Sequence, residues 1–137
     1  MDPPFEQVYT VDDWYDGPRG GVADYGGVPH VYRSLYLDGE TWNPDEDRFE
    51  LTPISAEVLS WIIEADELFQ RWQAAERAGT APACQHGEAR VLPGDRDHYL
   101  ELEAKTAGAL ERHAGPRVVV HGEFAPDGRR VQWKPVE

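Results

Sequence analysis

The chain has one cysteine, Cys84, and one methionine. A single thiol cannot close an internal disulfide, so folding rests on burial and hydrogen bonding, and the sparing use of cysteine points to a reducing, cytoplasmic setting. No apolar run exceeds a few residues, so no membrane-spanning helix is expected. The opening "MDPPFEQ" has no basic segment followed by an apolar one, and no secretory leader is expected from it. Basic charge is scarce in the first half. Residues 1–68 hold 16 Asp and Glu against only Arg19, Arg33 and Arg48, whereas residues 69–137 balance ten acids with ten bases. The whole net charge of −13 therefore belongs to the first half. A binder of phosphate backbones needs a basic face, so direct nucleic-acid binding is not expected. An acidic surface suits solubility, or a basic protein partner.

Familiar chemical signatures are also missing. No GxxxxGK[ST], GxSxG or GxGxxG occurs, which removes the usual signs of nucleotide binding and serine hydrolysis. Cys84 and His86, with His98 or His113, lack the paired spacing of a zinc site. Asp38, Glu40, Asp45, Glu46 and Asp47 lack the ligand order and glycine of a calcium loop. No metal and no cofactor is expected.

What the chain does have is 40% apolar residues and five tryptophans, enough for a packed core in a single domain spanning residues 1–137. Residues 5–11 alternate loosely and read as a strand, ended by a turn at Asp16-Gly17-Pro18. Two β-prone runs follow, joined at Gly26-Gly27, a two-residue hairpin signal. Residues 49–51 form a short strand candidate. Val58, Ile62, Ala65, Phe69 and Trp72 recur at helical spacing and predict a helix over 56–78, stopped by Gly79. A second helix is expected over 97–114, ended by Gly115-Pro116. A closing hairpin, "RVVVHGEFAPDGRRVQWKPV", is expected to turn through four residues, setting Phe124 opposite Arg129 and Val120 opposite Trp133. The order β-β-β-β-α-α-β-β argues for an α+β fold, a mostly antiparallel sheet with both helices packed on one face.

The stretch "YDGPRGGVADYGGVPHVYRS" concentrates the candidate site residues. With Gly26-Gly27 as the loop, Tyr25 faces Val28, Ala23 faces His30, Gly21 faces Tyr32 and Arg19 faces Ser34. One face of the hairpin then carries Arg19, Tyr25, His30 and Tyr32 over a floor of Gly21 and Ala23. The other face, with Val22 against Val31 and Leu35 beyond, reads as the one turned to the core. Glycine within a strand marks either a bulge or the close approach of another group. As packing, Gly20-Gly21 is a bulge or a bed for the Tyr32 ring. As a site, Arg19 would hold an anion by its planar fork, Tyr25 and Tyr32 would stack a flat group, and His30 would exchange a proton. Asp16 is a candidate partner for His30 or Arg19.

The same run resembles a family of small uncharacterised bacterial proteins with a Tyr-Asp-Gly-Pro-Arg segment, here Tyr15 to Arg19; the resemblance implies no activity and no residue roles. The residues thus support a non-catalytic binding protein whose acidic hairpin face meets a basic protein partner or a small anionic or aromatic ligand. The alternative is a small enzyme acting on such a ligand, with Arg19 as anchor and His30 as acid/base.

Overall fold

Six antiparallel strands close on themselves in a computed structural model of the chain, which describes residues 3–14, 17–35, 48–82, 89–112 and 116–136. The strands are β1 (Glu6–Trp14), β2 (Pro18–Tyr25), β3 (Val28–Ser34), β4 (Arg48–Pro53), β5 (Val118–Phe124) and β6 (Arg130–Pro135). Between β4 and β5 in the chain come α1 (Ala56–Arg77), a 3-10 turn (Pro93–Asp95) and α2 (Arg96–Arg112). The fold is therefore α+β and antiparallel, but the sheet is a barrel, with strand order β1-β2-β3-β4-β5-β6. The expected mostly antiparallel sheet is therefore present, and it closes on itself. The residues group into two compact units, the barrel from Met1–Ala56 and Ala114–Glu137, and a helical unit from Glu57–His113. No described helix is long and apolar enough to cross a membrane.

Closure comes from a short seam that neighbouring-strand patterns do not announce. Glu6 pairs with Val131 and Gln7 with Arg130. The Val8 amide donates to the Arg129 carbonyl at 3.0 Å, and the Gln132 side chain donates to the Pro3 carbonyl. Closing a sheet removes its exposed edges and gives one face of every strand a common interior to fill. Here Val8, Ala23, Tyr32, Phe49, Leu51, Val120, Val131 and Trp133 fill it. Tyr32, Phe49, Phe124 and Trp133 form a mutual aromatic cluster with ring centroids 5.4–6.0 Å apart. Gly122 makes room for it: a Cβ there would lie 2.6 Å from Trp133 Cζ3 and 2.9 Å from Phe49 Cδ2.

The final hairpin is shifted from the expected register. Phe124 faces Val131, Gly122 faces Trp133 and Val120 faces Pro135, so the link is two residues longer than the four-residue turn. The Gly128 amide donates to the Ala125 carbonyl, and Asp127 accepts from the Arg129 amide, which tightens the longer turn. Because strand side chains alternate with period two, a shift of two leaves every residue on its expected face.

In the helical unit, α1 and α2 agree with the expected helices to within two residues at each end. Gly79, at φ +75°, ends α1, and the Thr80 amide reaches back to the Ala75 carbonyl at 2.9 Å. Leu68, Val91 and Leu102 form the local core, flanked by Trp61, Ala65, Ala89 and Tyr99. Arg71 reaches both carboxylate oxygens of Asp95, at 2.9 and 3.0 Å. His98 meets Glu64 at 2.8 Å.

Candidate functional site

The expected β2–β3 register is present where Tyr25 faces Val28, Ala23 faces His30 and Gly21 faces Tyr32, but the pairing runs only to Gly20–Arg33, short of the expected Arg19–Ser34 pair. The direction of the face is not as expected. Tyr32 is 1% exposed and His30 7%, and Gly21, Ala23 and Arg19 are buried as well. The face proposed as a contact surface is the lining of the barrel. On the opposite face, Arg33 is exposed and Pro29, Val31 and Asp24 are half-buried, although Val22 is buried. The physical reason is economy of space. A narrow barrel interior accepts a large ring only where the facing residue is small, and Gly21 and Ala23 supply that room.

Gly21 answers both packing readings at once. Along β1 and β2, Val8 faces Ala23, Thr10 faces Val22, Val11 faces Gly21, Asp13 faces Gly20 and Trp14 faces Pro18. Tyr9 and Asp12 are therefore extra on β1, and Arg19 is extra on β2. At the first bulge the Thr10 hydroxyl accepts from the Val22 amide at 3.1 Å, and its carbonyl accepts from the Tyr32 hydroxyl at 3.0 Å. A Cβ on Gly21 would run into the Thr10 carbonyl and stand 2.7 Å from the Tyr32 hydroxyl. Burial holds the Tyr32 phenol well above its usual pKa, and the nearby Asp12 and Asp13 carboxylates push in the same direction. Tyr32 is a structural hydrogen-bond donor, closed to a stacking ligand.

The candidate residues are spread along the barrel axis. Tyr25 and His30 lie at the end bearing the Gly26-Gly27 turn, their rings in edge contact at 5.3 Å. The His30 Nδ1–H donates to the Val28 carbonyl at 2.7 Å. Glu6 accepts from both turn amides, Gly26 at 3.1 Å and Gly27 at 2.8 Å. Tyr32 sits midway. Arg19 belongs to the opposite end, two residues beyond Gly21 along β2, so the aromatic cluster separates it from His30. Asp16 lies outside the described residues, as do Cys84, His86, His113 and the acidic run Asp38–Asp47. Among the described residues no group of His, Cys, Asp and Glu could hold a metal.

At Arg19's end the barrel opens into a cleft of about 550 Å³. Arg19, Phe49, Gly122, Phe124, Trp14, His121, Glu123 and Lys134 are among the described residues that line it. Arg19 is 3% exposed, so its guanidinium is held rather than trailing in solvent. The bulge that leaves Arg19 without an opposite residue on β1 is a device that re-aims a side chain. Lys134 pairs with Glu123 at 3.1 Å. His121 faces Lys134 across the β5–β6 ladder, where the unshifted register would have set it against Gln132.

Of the sequence-derived candidates among the described residues, only Arg19 lines this cleft. Trp14, His121, Phe124 and Lys134 were not expected there. They come from β1, β5 and β6, and meet Arg19 only because the barrel closes and the last hairpin slips by two. The one local clue is the adjacency of Trp14 to the turn before Arg19 in "DDWYDGPR". Set against known protein families, curated proteins and solved structures, the chain matches none.

Proposed function

We propose that the barrel is a non-catalytic binding module that takes a small anionic ligand in the cleft at Arg19. The observation that carries the reading is a buried cation in a cleft: Arg19, 3% exposed, is among the described lining residues, and Lys134 there pairs with Glu123 at 3.1 Å. A guanidinium fixed at the bottom of a partly desolvated cleft recognises carboxylate or phosphate oxygens through two parallel hydrogen bonds. A volume of about 550 Å³ suits a small molecule, and apolar walls with a few placed polar groups are the usual build of such a site. A basic protein partner is the weaker reading for this cleft, because the buried Arg19 among its described lining residues does not favour a second cation. The sparing use of cysteine favours a cytoplasmic setting for the module.

Catalysis would need an imidazole beside the anchor. His30 lies at the far end of the barrel, so the acid/base role assigned to it loses its geometry. His121 is the imidazole that lines the cleft, and a turnover reading would rest on it.

Titration of the labelled protein with inorganic phosphate, followed by amide chemical shifts, tests the binding reading. Saturable shifts in the native protein should weaken at least about tenfold in Arg19→Met, the loss expected for one charge-assisted contact. Arg19→Lys should retain part of the affinity. Equal binding by native protein and Arg19→Met would overturn it.

A further inference from the structure

We propose that Trp14 is the ring platform of the cleft, and that its ligand is a small anion carried on a planar aromatic ring. This rests on the reading of Arg19 as the anion anchor. Among the large exposed hydrophobic side chains of the described residues, Trp14 is the most open, at 60%. A tryptophan left in water forgoes a large apolar burial, so an exposed one on the rim of a cleft calls for a covering group.

The ring is placed rather than loose. Trp14 faces Pro18 across the β1–β2 pair, and its inner edge abuts the β5–β6 turn at Gly128. A Cβ added at Gly128 would stand 3.4 Å from Trp14 Cζ3 and from Pro18 Cγ, and the φ of +72° there favours glycine in any case. Two elements from distant parts of the sequence, Pro18 and the Gly128 turn, thus lie beside the ring.

Shared lining sets the ligand class. Arg19 follows Pro18, the residue that Trp14 faces, and Trp14 and Arg19 both line the cleft. A small ligand touching both carries an anionic group and a ring in one compact molecule. Aryl carboxylates and aryl phosphates meet that condition. Long-chain acids and polyanions without a ring do not. Phe49 and Phe124, which wall the same cleft, add apolar surface for the ring edge.

The test compares phenyl phosphate and benzoate with inorganic phosphate and acetate, using amide-shift titrations of the native protein, Trp14→Ala, Trp14→Tyr and Arg19→Met. The native protein should prefer each ring-bearing anion over its ringless counterpart by about tenfold, the gain expected from one aromatic contact. Trp14→Ala should erase that preference, and Trp14→Tyr should restore most of it. A ring preference that survives in Trp14→Ala, or no ring preference in the native protein, overturns the platform. Phosphate binding that is absent, or unchanged in Arg19→Met, overturns the anion anchor itself and with it this inference.

Discussion

The Tyr32 hydroxyl donates to the Thr10 carbonyl at 3.0 Å, passing over Gly21, the residue that Tyr32 faces on β2. The contact joins β3 to β1 through the barrel interior and leaves no space above Gly21 for a side chain. Gly21→Ala should therefore lower stability by about 3 kcal/mol, the upper end for overpacking a rigid core, because the obstacle is a backbone carbonyl. Urea unfolding measures it. A midpoint equal to that of the native protein would contradict the packing.

Tyr32 also predicts a pH dependence. Its phenol is held above the usual value near 10, so the folded state resists the loss of that proton while the unfolded chain yields it. The stability from this group is fully present below about pH 10 and declines as pH rises above it toward the folded-state value. Tyr32→Phe should cost about 1 kcal/mol at neutral pH through the lost hydrogen bond, and should flatten the alkaline decline. Denaturation at a series of pH values, with and without the substitution, separates the two effects.

At the β1 bulge, the Thr10 hydroxyl takes the place of a ladder acceptor for the Val22 amide. Thr10→Val keeps the shape of the side chain and leaves that buried donor without its partner. The expected loss is about 1–3 kcal/mol, with faster hydrogen exchange at Val22. Unchanged exchange would place the Val22 amide's protection elsewhere.

Local pattern was enough to read the helices and the β2–β3 pairing, because Gly26-Gly27 and the spacing from Val58 to Trp72 act within a few residues. It was not enough to tell inside from outside on that hairpin. Val22 against Val31 looked like the core face by apolarity, yet a closed interior is decided by volume. Tyr32 and His30 face inward because Gly21 and Ala23 lie opposite. That pairing of small with large is visible in the sequence, where it supports both a bed for the Tyr32 ring and a floor for a ligand. The barrel itself depends on Glu6 and Gln7 meeting Val131 and Arg130, residues more than 120 positions apart that carry no mutual signature. The cleft inherits that limit, since Trp14 and Arg19 meet Phe124 and Lys134 only after closure.

Separation of the two barrel ends gives a further prediction. His30 supports its own turn through the bond to Val28, so His30→Leu should destabilise the protein by about 1 kcal/mol. Its affinity for phosphate or phenyl phosphate should match that of the native protein within about twofold. A large loss of affinity with the fold intact would return His30 to the site.

The most direct test of the account is the location of the amide shifts when phenyl phosphate is added to the labelled native protein. The account predicts the largest changes at Trp14, Arg19 and Gly122–Ala125, with Tyr25, Gly26 and His30 unmoved. Changes centred on the Gly26-Gly27 end, or none at saturating ligand, would contradict it.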